Sequence, residues 1–346
     1  MKIFNYQKIC RELLKDLPER QKEVILRRFG LTSPQGPGGG KRETLEAIGR
    51  DLAITRERVR QIEKGGFLKI KPKIAKYQRV FQYFRQELKK CGGLRKEEIL
   101  LRELGGKKQK PQIYFLLTIS DNFERFGEVK EGKPSFPSLT FARENEDFYS
   151  FWALNLDSLN AAKDVIDALS GKLKEIGKPL SLKEMSSFFS PANPALAYYL
   201  EVSKKILQNS NGLYGLKDWP EINPRGVKDK AYLVFKKLGK PLHFEEVAKL
   251  VEGALSQTVH NELIKDPRFI LVGRGIYALK EWGYTPGQVK DVIFKILKED
   301  GPLTQSEILE RVLKQRLVKE STILLNLNNK KHFLRDTQGR YQIKEI

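Results

Sequence analysis

Three stretches of this chain repeat one another. Lys174-Glu175-Ile176-Gly177-Lys178-Pro179-Leu180 is echoed by Lys236-Lys237-Leu238-Gly239-Lys240-Pro241-Leu242 and, more loosely, by Lys298-Glu299-Asp300-Gly301-Pro302-Leu303. The three leucines lie 62 and 61 residues apart. A short polar-started helix follows each one, at Ser181–Met185, His243–Val247 and Thr304–Ile308. The units also close alike. Leu213-Tyr214-Gly215-Leu216-Lys217-Asp218-Trp219 matches Ile276-Tyr277-Ala278-Leu279-Lys280-Glu281-Trp282, and the last unit ends on Gly339-Arg340-Tyr341-Gln342-Ile343. A fainter first copy starts at Lys89–Ile99, with a closing hairpin expected around Phe123 to Phe141. Repetition at this period rules out one large domain and requires a string of small units, each burying a modest core.

The copy around His243 gives the plan of a unit. A helix over about Val227–Lys237 stops at Gly239-Lys240-Pro241, a glycine-then-proline stop signal. Helices over Phe244–Val251 and Ser256–Lys265 follow. Asp266-Pro267 breaks the last one, and Arg268–Val272 and Ile276–Trp282 flank the turn Gly273-Arg274-Gly275 as two strands. Three helices and a hairpin make a winged-helix plan, with the recurrent Tyr and Trp in its core. The segments Lys240–Phe244, Asp266–Phe269 and Gly275–Leu279 resemble the HARE-type helix–turn–helix domain, found in the delta subunit of bacterial RNA polymerase and in restriction and chromatin proteins. The expected fold class is therefore mainly α: a helix–turn–helix domain over residues 1–76, then tandem winged-helix units over 77–152 (divergent), 153–222, 223–284 and 285–346.

The N-terminal segment differs in charge. The chain carries 64 Lys and Arg against 43 Asp and Glu, a net +21, and residues 1–80 hold 20 of the cations and only 9 of the acids. Such an excess favours a polyanion as partner. Within it, Leu13, Leu14, Leu17, Val24, Ile25 and Phe29 mark two amphipathic helices broken near Pro18, with Gly30 as the stop. A glycine-rich loop, Ser33–Lys41, follows. Thr44 and Thr55 can each cap a short helix, and a three-residue turn joins the two, which is a helix–turn–helix pattern. Ile48 and Leu52 face Val59 and Ile62, and Gly49 permits a close crossing. On a wheel of about 100° per residue starting at Arg56, Val59 and Ile62 fall near 300° and 240°. Arg56, Glu57, Arg60, Gln61 and Lys64 fall between about 0° and 140°, pointing outward. Arg forks onto guanine, Glu accepts from cytosine and Gln pairs with adenine in a major groove, so Arg56, Glu57, Arg60 and Gln61 are candidate base readers. Lys41, Arg42, Thr44, Thr55, Arg58 and Lys64 are candidate phosphate contacts.

Leu17-Pro18-Glu19-Arg20, Val24–Leu31, Thr44–Gly49 and Thr55–Glu63 closely resemble region 4 of sigma-70-family RNA polymerase sigma factors. The resemblance implies a module that reads the −35 promoter element in double-stranded DNA and docks on the flap of the polymerase β subunit. The apolar residues Leu13, Leu14, Ile25 and Phe29 are then a candidate polymerase contact, with a core role as the simpler reading. The chain departs from the pattern in three places. Ala53 stands where the turn often has Gly, Gly65-Gly66 is expected to interrupt the recognition helix, and the module opens the chain rather than closing it, which argues against full sigma activity. The expected function is a sequence-specific DNA-binding transcription regulator. A polymerase accessory protein and a non-specific architectural nucleoid protein are the other classes that fit.

Enzyme readings fall away. Gly36–Arg42 lacks the phosphate-loop spacing, with Gln35 where the first Gly is needed and Arg42 in place of Ser or Thr. The three His are scattered, and two Cys cannot build a four-ligand zinc site, so no metal, cofactor or small-molecule substrate is expected. Phe148, Tyr149, Phe151 and Trp152 could stack bases, but their place at the end of a unit favours core. No apolar run approaches the ~20 residues that span a bilayer, and no secretory signal opens the chain, so the expected setting is cytoplasmic, at the nucleoid.

Overall fold

The computed structural model describes residues 4–32, 40–106, 108–127, 147–189 and 193–344. Residues 33–39 of the glycine-rich loop and 128–141 of the first expected hairpin lie outside them. The described chain is mainly helical, its sheets having two or three strands. It divides into two compact units, Met1–Lys217 and Asp218–Ile346.

The first unit opens with α1 (Tyr6–Leu14), α2 (Glu19–Phe29), α3 (Leu45–Asp51) and α4 (Arg56–Ile70). A 3-10 segment, Lys71–Tyr77, leads directly into α5 (Gln78–Lys90). Then come β1 (Leu94–Lys96), α6 (Glu97–Gly105), α7 (Lys110–Ile119), β2 (Glu124–Phe126) and β3 (Phe151–Ala153), the strands pairing antiparallel in the order β1-β3-β2. The closing strand is thus the aromatic cluster itself. Phe148, Phe151 and Trp152 are buried, which decides for core over base stacking, while Tyr149 keeps a half-exposed ring under the Lys96 ammonium. One continuous core runs from Tyr6 and Leu13 through Phe29, Phe67 and Phe84 to Tyr114, Phe115 and Trp152. The segments read above as residues 1–76 and 77–152 therefore share their hydrophobic interior. The unit ends with α8 (Leu156–Ile176), α9 (Leu182–Ser186), α10 (Leu196–Val202) and the hairpin β4 (Ile206–Gln208)–β5 (Tyr214–Leu216).

The second unit contains two successive three-helix-plus-hairpin sets. The first is α11 (Gly226–Leu238), β6 (Leu242–His243), α12 (Phe244–Leu250), α13 (Ser256–Lys265), β7 (Phe269–Gly273) and β8 (Ile276–Leu279), in sheet order β6-β8-β7. The second is α14 (Val289–Asp300), α15 (Gln305–Gln315), α16 (Glu320–Leu327), β9 (Phe333–Arg335) and β10 (Tyr341–Ile343). Each has its own apolar core.

The repeat has a structural cause. Each repeated leucine pairs antiparallel with the repeated tyrosine of its own hairpin: Leu180 with Tyr214, Leu242 with Tyr277, and Leu303 with Tyr341. The leucine ends the helix-to-helix link and the tyrosine is the first or second residue of the last strand, so the pair ties the front of each unit to its wing. All three leucines are buried. The polar residue after each leucine caps the next helix. Ser181 and Thr304 form capping boxes with Glu184 and Glu307, and His243 accepts from the Glu245 N–H. The stops at Gly177 and Gly239 are left-handed, a conformation only glycine adopts without strain.

Candidate nucleic-acid interface

The helix–turn–helix is built from α3 and α4. Thr44 accepts from the Ala47 N–H at 3.0 Å and Thr55 from the Arg58 N–H at 3.1 Å, so both threonines cap as their positions suggest. A small core of Val24, Leu45, Ile48 and Val59 holds the two helices against α2. Gly49 lets the turn and α4 come close to α3, since a methyl group there would come within 2.7 Å of the Ile54 carbonyl oxygen and 3.4 Å of Val59 Cγ2. Ala53 turns the chain with φ of 52°, a left-handed conformation that disfavours any side chain.

Recognition helix α4 buries Val59, Glu63, Gly66, Phe67 and Ile70, a stripe of three- and four-residue steps. On the wheel begun at Arg56 this stripe centres near about 320°, some 50° from the midpoint of Val59 and Ile62. The shift leaves Arg58 exposed and Arg60 at the margin, its side chain 42% exposed. Arg56, Glu57, Gln61 and Lys64 are exposed as expected. The expected interruption at Gly65-Gly66 does not occur, and α4 runs unbroken to Ile70. These glycines serve packing. A methyl group on Gly66 would meet Ile25 Cδ1 at 2.6 Å, and one on Gly65 would meet the Gln21 amide at 3.1 Å. They let α2 lie directly on α4.

Three of the candidate base readers are held in pairs, Glu57 with Arg60 and Gln61 with the phosphate candidate Arg58. Arg60 donates to both carboxylate oxygens of Glu57, at 2.7 and 2.6 Å, and Arg58 donates to Gln61 at 3.2 Å. The hydrogen bond from Arg60 holds the Glu57 carboxyl below its ordinary range. Glu57 is therefore ionised, an acceptor only, beside a guanidinium already set in a plane. Among the candidate phosphate contacts, Lys41, Arg58 and Lys64 are exposed. Arg42 is exposed too, yet its guanidinium carbon sits 4.2 Å from the centre of the Tyr114 ring on α7. Lys41, Arg42 and Thr44 thus stand at the head of α3, while Arg58 and Lys64 project from α4.

Sequence reasoning missed what fixes this geometry. Arg28 on α2 and Glu63 on α4 are both wholly buried and paired at 3.3 Å, and Arg28 also donates to the Glu43 carbonyl at 2.9 Å. Burial pushes the Glu63 carboxyl up to about 7 despite the neighbouring guanidinium, and burial lowers Arg28 in turn. Beside them Arg27 reaches Glu43 at 2.6 and 2.9 Å and also binds Asp51. One signal was available: Glu63 lies four residues after Val59, on the buried stripe. For Leu13, Leu14, Ile25 and Phe29 the structure decides between the two readings in favour of core. All four are buried at 3% exposure or less, so they form core and present no polymerase-facing surface.

Residues 13–71 match the family described as sigma-70, region 4. This segment is a sigma-70 region 4 domain. It is 46% identical over 59 residues to the RNA polymerase sigma factor RpoD of Helicobacter pylori, covering 17% of this chain and 8% of that protein. It is 42% identical over 62 residues to the RNA polymerase sigma factor sigB of Arabidopsis thaliana, covering 18% and 10%, and 43% identical over 65 residues to the RNA polymerase sigma-C factor of Nostoc, covering 19% and 14%. The chain thus spans only a small part of each relative's length, and no solved structure matches it. The region 4 domain contains all ten candidate contact residues, while Tyr114, which braces Arg42, lies outside it. Among the described residues no helix is long and apolar enough to cross a membrane, and no cluster of three or more His, Cys, Asp or Glu is placed to hold a metal.

Proposed function

We propose that this chain is a sequence-specific duplex-DNA-binding regulator of transcription that reads a −35-type promoter element and works in contact with RNA polymerase, at the nucleoid in the cytoplasm. Arg56, Glu57, Arg60 and Gln61 read base edges, and Lys41, Arg42, Thr44, Thr55, Arg58 and Lys64 hold phosphates. The observation that carries this reading is the exposed Arg56–Lys64 face, backed by a buried stripe and lying wholly inside the region 4 domain. Glu57 supports it further. An ionised acceptor next to a forked guanidinium offers cytosine and guanine complementary partners on one helical turn. The role is one of recognition, with no catalytic step.

The test titrates a −35-type duplex and a scrambled duplex at two salt concentrations. The reading expects a preference for the first that survives added salt, and Arg60→Ala should erase about 1–3 kcal/mol of it. Equal affinities that fall together with salt would mark an architectural protein instead. Binding to neither duplex with capture of polymerase would mark an accessory protein.

A further inference from the structure

Helix α5 follows the region 4 domain and lies outside its match. It buries Val80, Phe81, Phe84 and Leu88 and leaves Gln78, Arg79, Gln82, Arg85, Gln86 and Lys89 exposed. On a wheel begun at Gln78 the buried four fall between about 200° and 300°, and the exposed six between about 340° and 100°. The outward face therefore consists of three amides and three cations, with no acid among them. Exposed Lys90 sits at its edge, paired at 2.6 Å with Glu87, which lies well outside the face. Arg79, Arg85 and Lys89 make no ion pair among the described residues, whereas Lys71 binds Asp121 and Lys73 binds Asp16, both at 2.8 Å. A cleft of about 500 Å³ opens along this face. Gln78, Gln82 and Arg85 of α5 line it together with Lys71 and its partner Asp121.

We infer that the outward face of α5 is a second duplex-DNA-contacting surface, distinct from the recognition helix. Arg79, Arg85 and Lys89 grip the phosphodiester backbone, and Gln78, Gln82 and Gln86 donate to phosphate or sugar oxygens between them. The chemistry selects a polyanion. Three uncommitted cations on one stripe repel each other in the free protein, and an array of phosphates relieves all three at once while releasing its counterions. Amide donors among them suit regularly spaced oxygens and add no charge of their own. The surface extends the Proposed function without depending on which bases α4 reads.

The test compares the full-length parent, Arg60→Ala and the triple variant Arg79→Ala/Arg85→Ala/Lys89→Ala on −35-type and scrambled duplexes of roughly four helical turns each. For the triple variant the plot of log affinity against log salt should become shallower by about 2–3, at roughly 0.9 per phosphate contact, with affinity at low salt down more than tenfold on both duplexes. Its preference between the two duplexes should stay at the parental ratio. Arg60→Ala should do the reverse, losing preference and keeping most of the slope. Arg85→Glu should weaken binding more than Arg85→Lys, which supplies a comparison should the triple variant melt early. A parental slope in the triple variant, or equal binding by Arg85→Glu and Arg85→Lys, overturns the inference. So does loss of polymerase capture with DNA binding intact, which would make this a protein-docking face. An unchanged duplex preference in Arg60→Ala together with a shallower slope in the triple variant would defeat the α4 reading alone.

Discussion

Replacing Arg28 with Met would expose how the recognition helix is held. The substitution keeps an unbranched apolar stem but removes the guanidinium paired with Glu63 in a buried site, and it strips a donor from the Glu43 carbonyl. Breaking a buried ion pair by removing one partner costs about 3–5 kcal/mol, because the remaining charge is stranded. Here that cost must depend on pH. Glu63 already has its carboxyl raised to about 7 by burial, and the loss of Arg28 raises it further. An acid whose folded pKa exceeds its unfolded value takes up a proton on folding, so its folded state is favoured at low pH and loses ground as pH rises toward the folded pKa. The deficit of Arg28→Met should therefore be full near pH 8.5 and shrink toward pH 6, by about 1.4 kcal/mol for each unit of further rise in Glu63. Urea unfolding followed by circular dichroism at the two pH values measures this, provided the m-value is unchanged. The double variant Arg28→Met/Glu63→Leu should regain most of the lost stability, since an apolar pair of similar volume replaces two buried charges. A deficit equal at both pH values, or a double variant as unstable as the single one, would refute the account.

Three further outcomes follow from local geometry. Ala53→Gly relieves a left-handed alanine worth about 1–2 kcal/mol against a glycine entropy cost of about 0.5–1, so the melting temperature should rise slightly. Gly66→Ala should lose about 1–3 kcal/mol despite alanine's better helix propensity, because its methyl would meet Ile25 at 2.6 Å; an unchanged denaturation midpoint would mean that α2 and α4 have slack between them. Arg42→Ala should reduce the salt slope of duplex binding by about 0.9 with no change in sequence preference, and an altered preference would move Arg42 from phosphate to base.

Much of the fold was legible because it rests on local rules. The helix limits at Gly30 and Gly239, the caps at Thr44, Thr55, Ser181 and Thr304, and the helix Ser256–Lys265 all follow from residue types acting over a few positions. The repeat also picked out the recurrent leucines and tyrosines, though not that each leucine pairs with the tyrosine of its own unit. What stayed hidden depended on distant packing. Gly65-Gly66 reads as a helix breaker when only α4 is in view, because the residues that need the space, Gln21 and Ile25, are some forty positions earlier. The shared core between the N-terminal helices and the sheet strand at Trp152 is equally invisible to periodicity, which reports which face is buried but not against what.

The same division runs through the site. The outward residues of α4 could be named from spacing, since charge and helical period suffice. The orientation of those residues could not, because it is set by a buried acid on the back of the helix. A wheel anchored on Val59 and Ile62 alone leaves Glu63 out of the buried stripe and so rotates the predicted face toward Arg60 and away from Arg58. Placing Glu63 inside, against Arg28, turns the helix by about 50° and exchanges the exposure of those two arginines. A buried pair of this kind adds little net stability over an apolar one, but a carboxylate that must meet one guanidinium has only one acceptable rotation. We therefore expect apolar replacement of both residues to preserve folding while broadening the range of duplexes bound, because the helix then keeps its anchor and loses its register.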